Sequence, residues 1–285
     1  MNAAIASAAR GSFTVVTPNF NTARYLGRTI ESVLRNLRPG DQYFIIDGGS
    51  TDGSVEIIRS YAKDLTGWVS EPDRGYADAI AKGFARSGGE YMCWLNSSDV
   101  LLDGALDEAR RHLSAGNADL IFGDDYYIDD ADRVIFRAHG RTHSLRHMML
   151  YGGWTPLQDA CFWKRSLYDA VGGLDPRLTH AADFDLFLRM SLAGRCVYVP
   201  VVFSAFRRHA GQKSIDERTD YGRERERCRI AALDARRDPW VRRRLLAIFY
   251  WIAVRVRARA LRHLRLESRR HAGESVLRLA CHASG

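Results

Sequence analysis

Four short polar clusters carry the residue types that could do chemistry, and each directly follows an apolar, β-branched or aromatic run. Thr17-Pro18-Asn19-Phe20-Asn21 follows Phe13 to Thr17. Its asparagines suit either a cap on the next helix or hydrogen bonds to a ligand. Asp47-Gly48-Gly49-Ser50-Thr51-Asp52-Gly53 follows Tyr43 to Ile46. Two consecutive glycines let backbone approach a ligand closely. Asp47 can accept hydrogen bonds from the imide and hydroxyl donors of a nucleoside, while Asp52 or Ser54 suits a helix cap. Glycine and threonine at the third and fifth positions exclude a calcium loop. Ser70-Glu71-Pro72-Asp73-Arg74-Gly75-Tyr76 leads into a helix with Asp78 and Lys82 four apart on one face. That spacing makes an ion pair, and Arg74 is placed either for it or for a diphosphate. Asn96-Ser97-Ser98-Asp99 follows Tyr91 to Leu95, where a carboxylate either caps a turn or holds Mg2+ or Mn2+ against a diphosphate.

The elements that must position these clusters alternate. Strands are expected at 13–17, 43–46, 67–70, 91–95 and 118–122, with helices at 22–37, 54–63, 76–86 and 103–113. A hairpin over 126–137 turns at Asp129-Asp130-Ala131-Asp132. Mixed elements follow at 159–163, 182–193 and 195–202. Strands alternating with helices imply a mainly parallel sheet covered on both faces. Ligands of such sheets bind beyond the carboxyl ends of the strands, where the four clusters lie.

At 285 residues the chain is long enough for one large α/β core with an appendage. Its formal charge of +8 is unevenly spread. Residues 223–270 hold 16 arginines against five acids, so the rest of the chain is mildly acidic. Five scattered cysteines without a CxxC pair read as reduced thiols in the cytoplasm. Residues 1–11 read as a flexible leader rather than a signal peptide. No GxGxxG follows the first strand and no GxxxxGK[ST] occurs, which sets aside a Rossmann dehydrogenase and a P-loop enzyme.

Together and in order, VVTPNFN (15–21), FIIDGGSTDGS (44–54), SEPDRGYADAIAKGF (70–84), WLNSSD (94–99), GGLDPRLTHAADFDLFLRM (172–190) and FRRHAGQKS (206–214) resemble the inverting glycosyltransferases of family 2. The similarity runs from about Phe13 to Ser214. It implies an α/β fold of the GT-A type: a Rossmann-like, mainly parallel sheet flanked by helices over 12–215, followed by a basic helical extension over 216–285. It implies a nucleotide-sugar pocket drawn from Thr17, Pro18, Asn19, Asn21, Asp47, Gly49, Ser50, Asp73, Arg74, Asp78, Asn96 and Ser97. Asp47 would hold the base, uracil being the expected one. Asp183 matches the catalytic base, and Asp99, with His209, a site for Mn2+ or Mg2+. Asp185 is expected only to help start its helix. The chain departs from the family at Gly48, Asn96 and Ser98, where aspartates are common, and at Ala182, a frequent glutamate. The implied activity is transfer of a sugar, from UDP by preference, to a glycan or lipid-linked hydroxyl with inversion. The alternative is a non-catalytic sugar-nucleotide-binding protein on the same fold.

Within the basic extension, residues 240–266 contain the ten-residue run LLAIFYWIAV between arginine groups. The run is short of the ~20 residues that cross a bilayer. It suits a helix lying on the anionic cytoplasmic face of the inner membrane, or one packed on the catalytic domain or a second copy. No nucleic-acid recognition module accompanies the arginines, so nucleic acid is not an expected partner.

Overall fold

The computed structural model describes residues 10–140, 144–153, 155–209, 218–236 and 275–276. Nine strands form one sheet: β1 (Phe13–Asn19), β2 (Gln42–Asp47), β3 (Gly67–Ser70), β4 (Tyr91–Trp94), β5 (Val100–Leu101), β6 (Leu120–Ile128), β7 (Val134–Ala138), β8 (Cys161–Lys164) and β9 (Cys196–Arg207). Their order is β3-β2-β1-β4-β8-β6-β9-β5, with β7 on β6. The first four strands are mutually parallel. Beyond them β8 runs antiparallel to both β4 and β6, β6 and β9 are parallel, and β5 and β7 are antiparallel to their neighbours.

The helices are α1 (Ala23–Leu34), α2 (Ser54–Ser60), α3 (Tyr76–Ala85), α4 (Ala105–Ser114), α5 (Leu145–Gly152), α6 (Arg165–Ala170), α7 (Ala182–Ala193) and α8 (Arg218–Ala235). The α1 stripe of Leu26, Ile30 and Val33 is fully buried. Helix α3 lies so close to the sheet that a Cβ at Gly83 would stand 2.6 Å from Val16 Cγ1. A cluster of Phe84, Trp94, Trp163 and Phe187 joins α3, β4, β8 and α7, with Trp94 and Phe187 stacked at 5.7 Å. Packing of this kind fixes the strand end after β4 and the helix start of α7 to one rigid body.

Several boundaries differ from the sequence expectation for physical reasons. Strand β1 continues through Pro18 to Asn19 rather than ending at Thr17. Val16 O accepts the Leu95 N–H, so every second residue, Pro18 included, faces the β4 side, where pairing has already ended and no ladder donor is lost. Strand β6 runs to Ile128 rather than 122, because β7, β8 and β9 all pair along it. Helices α1 and α2 end three residues earlier than expected.

Helix α8 packs against α5 and α7. The start of the basic extension is therefore packed on the helices beside the sheet. The 240–266 segment lies outside the described residues. Among the described residues, no helix is long and apolar enough to cross a membrane.

Candidate active site

The parallel registers align the last residues of three neighbouring strands: Asn19 beside Asp47, and Asp47 beside Ser70. Their side chains form one ladder, with Asn19 Nδ2 donating to Asp47 Oδ1 at 2.6 Å and Ser70 Oγ to Oδ2 at 2.6 Å. Ser50 Oγ and the N–H groups of Gly49 and Ser50 also donate to Asp47. Asp47 is 0% exposed. Burial works against its ionisation, but the donors from Ser50, Ser70 and Asn19 outweigh it and hold the carboxyl below its usual value. Gly49 turns the chain at φ +87° so that its N–H points back to this carboxylate.

Around the ladder the loops brace one another. The Asn21 N–H donates to Ser50 Oγ, and Asn21 Oδ1 accepts from Thr51 N. Neither asparagine caps α1. Asp52 does so from the neighbouring loop, accepting the Ala23 N–H at 2.8 Å while also holding Ser54 at the start of α2. Thr17 and Pro18 are both buried, and Thr17 Oγ1 meets the Tyr43 hydroxyl at 3.0 Å.

The third cluster closes over Gly48. A Cβ there would stand 2.8 Å from Asp73 Oδ2, so Asp73 occupies the space that a side chain at position 48 would claim. Asp73 also accepts the Gly75 N–H. Arg74, with 71% of its side chain exposed, pairs with Asp78 at 2.8 Å, and Lys82 bridges Asp78 and Glu71. The Arg74 bond holds the Asp78 carboxyl below its ordinary value. Phe20, which sequence reasoning did not single out, is 62% exposed beside Gly48. The available signal was a lone aromatic between two asparagines at a strand end.

At the end of β4, Ser97 Oγ meets Thr22 Oγ1 at 2.6 Å, tying the fourth cluster to the first. Asn96 bridges Asp99 Oδ2 and Gln158. Asp99 is 0% exposed, and its Oδ1 accepts the Arg207 N–H at 3.0 Å. The buried Arg207 guanidinium reaches Ser98 O and Asp132 and lies over the Tyr25 ring. Two further acids join this region, Asp125 and Asp159, and the sequence offered no pattern that singled them out. Burial raises the carboxyls of Asp99, Asp125 and Asp159, and the charge of Asp159 raises Asp99 and Asp125 further. His209, expected near the metal, packs against Tyr25 with the rings tilted and their centroids 4.9 Å apart. Among the described residues, no group of three or more His, Cys, Asp or Glu side chains is arranged to hold a metal ion.

Asp183 stands in the first turn of α7. Its Oδ2 accepts the Tyr221 hydroxyl at 3.4 Å, while its Oδ1 is shut from solvent without a hydrogen-bond partner. Burial pushes its carboxyl up to about 6. Tyr76, at the start of α3, donates to His180 O and accepts the Ala182 N–H, which joins the Asp73-Arg74 loop to the Asp183 turn. Asp185 pairs with Arg189 one turn on. The four clusters and Asp183 are thus linked by hydrogen bonds into one site at the carboxyl ends of the strands.

Residues 14–172 match the model of glycosyl transferase family 2. The chain belongs to that family. An uncharacterized glycosyltransferase of Mycobacterium tuberculosis is 29% identical over 197 residues, covering 67% of this chain and 73% of the relative. A PGL/p-HBAD biosynthesis glycosyltransferase of Mycobacterium bovis is 24% identical over 216 residues, 70% of this chain and 78% of the relative. Among solved structures, S. aureus TarS 1–349 in complex with UDP-GlcNAc superposes with a TM-score of 0.55 at 15% identity, covering 70% of this chain. The mannosyltransferase PcManGT from Pyrobaculum calidifontis, in complex with GDP-Man and Mn2+, gives 0.56 at 19% identity over 80% of this chain. This chain spans 60% and 64% of those two solved chains. The likeness shows the GT-A fold. Within the family match lie the strand-end ladder and Asp99; Asp183, His209 and Tyr221 lie beyond it.

Proposed function

We propose that the protein moves a sugar from a nucleoside diphosphate, UDP by preference, to a hydroxyl of a glycan or lipid-linked acceptor with inversion at the anomeric carbon. The observation that carries this reading is Asp183: a carboxyl at a helix start, ionising near 6, with one oxygen free of any hydrogen bond and the strand-end ladder reached through Tyr76. A base poised near neutrality takes a hydroxyl proton most effectively. Asp183 accepts that proton as the acceptor oxygen bonds to the anomeric carbon and the bond to the diphosphate breaks. Asn19, Asp47, Ser50 and Asp73 shape the nucleoside end, with Phe20 offering a ring face to the base. Arg74 turns from Asp78 to the diphosphate and meets its charge.

The surroundings of Asp99 suit a hard divalent cation. Asp99 lies beside Arg207 and feels the charge of Asp159, and Mn2+ or Mg2+ held by Asp99 would offset that charge. Asp99 is the residue to hold it. Such an ion supplies Lewis-acid stabilisation of the departing diphosphate.

The donor is tested by thermal shift with UDP-, GDP- and dTDP-sugars in the presence of Mn2+, since a ligand that binds the native state raises the melting temperature. A shift with none of them removes the donor assignment. Asp183→Asn tests the base: binding stays and turnover is lost.

A further inference from the structure

Helix α7 begins without a cap of its own. Its N-cap residue is Ala181, which has no side-chain acceptor for the free N–H groups of the turn. The residues that lead into the helix are held instead from α8. Glu224, 6% exposed, receives the N–H groups of His180 and Ala181 at 2.7 Å each and of Thr179 at 3.4 Å. Burial opposes its ionisation, but these backbone donors outweigh it and hold its carboxyl below the usual value. One turn earlier on α8, Tyr221 donates to Asp183 Oδ2, which leaves Thr155 Oγ1 to donate to Tyr221 at 3.1 Å. On the other side, Tyr76 of α3 grips the same segment through His180 O and Ala182 N. The chain from 179 to 183 is therefore clamped between a helix inside the family-matched stretch and one beyond it.

We infer that Glu224 and Tyr221 are positioning residues for the transfer, Glu224 anchoring the backbone of 179–181 that enters α7 and Tyr221 aiming the Asp183 carboxylate. This rests on Asp183 being the base. Helix α8 then completes the acceptor half of the site, and the catalytic unit ends no earlier than this helix. The groups that face Asp183 are Tyr76 from α3, Cys161 from β8, and Tyr221 and Glu224 from α8, with Arg225 acting on Tyr221. Of these, the Tyr221 hydroxyl favours the ionised base.

The test uses the full chain, with UDP-GlcNAc and Mn2+ as probe and release of UDP as readout. It is paired with hydrogen exchange across residues 178–184. Glu224→Ala should raise exchange at 179–181 about tenfold or more, as expected for amides whose acceptor is lost. It should lower kcat by up to about 100-fold with the donor KM little changed, the signature of a misplaced catalytic group. Glu224→Gln, which keeps one acceptor oxygen, should fall between, and it serves in place of the alanine variant if that one does not fold. Tyr221→Phe should keep the exchange pattern and move the acidic limb of the pH–rate profile upward. Wild-type exchange at 179–181 in Glu224→Ala overturns the clamp, whether or not the probe donor turns over. An unmoved acidic limb in Tyr221→Phe overturns the steering role. Asp183→Asn separates the two ideas. Normal turnover in that variant removes the base while an exchange change at 179–181 keeps the clamp. An inactive Asp183→Asn beside normal Glu224 and Tyr221 variants does the reverse.

Discussion

Two regions of the site use the same residue type at the same depth to opposite effect. Asp47 and Asp99 are both fully buried. Asp47 gathers five donors, from Asn19, Gly49, Ser50 and Ser70, and is held in its ionised form. Asp99, Asp125 and Asp159 share a region with fewer donors and one another's charge, and all three hold their protons more tightly than a free carboxyl. Asp183 follows the second pattern, with one weak hydroxyl contact and a bare oxygen. Burial alone therefore does not decide whether a carboxyl is charged; the donors it gathers and the charges beside it do. The ladder side is preorganised for polar recognition. The far side stores unneutralised acid, which is the condition for taking up a proton or a cation.

The sharpest way to break this contrast is Asp183→Asn. If the bare oxygen is the proton acceptor, turnover should fall by about a thousandfold or more, while sugar-nucleotide binding stays within about twofold. In the wild type, turnover should rise with pH up to about 6 and level off above it, because the base works only when ionised. A flat profile from about pH 5 to 8 would falsify the assignment of Asp183.

Next in size is Asp47→Ala. It strands two hydroxyls, one amide and two backbone N–H groups that now converge on one carboxylate. Unmet buried donors cost about 1–3 kcal/mol each, less whatever water recovers, so a net loss of about 3 kcal/mol is expected in denaturant unfolding. Donor binding should be lost with it. A variant of wild-type stability would mean the ladder does not organise these strand ends.

These two residues also mark how much was legible beforehand. The ladder was readable because strand-end chemistry is local: Asp47 and Asn19 stand at fixed offsets from apolar runs, and parallel pairing brings such ends together. The stretch 182–193, read from the sequence only as one of the mixed elements, is helix α7, and the resemblance had implied a helix start at Asp183. What could not be read is chemistry assembled by contacts distant in sequence. Asp125 and Asp159 meet only because β6 carries both β8 and β9. Glu224 anchors the turn into a helix that starts more than forty residues earlier, a role no spacing announces. Gly48 shows the converse: as a letter it was a missing acid, and in the fold it is the space into which Asp73 fits.

That last point gives a smaller test. Gly48→Asp restores the residue type common in family 2, yet places its Cβ 2.8 Å from Asp73 Oδ2 and brings two like charges together. Donor affinity should fall by about tenfold rather than rise, an effect of about 1.4 kcal/mol. Tighter binding by isothermal titration would show that Asp73 yields to a side chain there.

The mildest change probes the acidic side directly and should stabilise the protein. Asp125 is fully buried, with Oδ1 on Ser204 Oγ and Oδ2 facing no donor but the Asp159 carboxyl. Burial and the charges of Asp159 and Asp99 raise its folded-state ionisation well above the unfolded value. Between those two values the folded protein binds a proton that the unfolded chain has released. The stability this proton contributes is complete at low pH and disappears as pH rises through the folded-state value. Asp125→Asn removes that dependence, and its amide can donate to Asp159 while its carbonyl still accepts from Ser204. The variant should be more stable than wild type by about 1–2 kcal/mol at pH 8, the worth of a hydrogen bond to a charged partner. At pH 5 the gain should shrink, because the wild type has lost less of this proton-linked stability there than at pH 8. Urea unfolding at both pH values, run without divalent cation, measures the difference. A gain of equal size at both would mean that packing, not charge, sets the cost at Asp125, and the contrast with Asp47 would then rest on Asp99 and Asp159 alone.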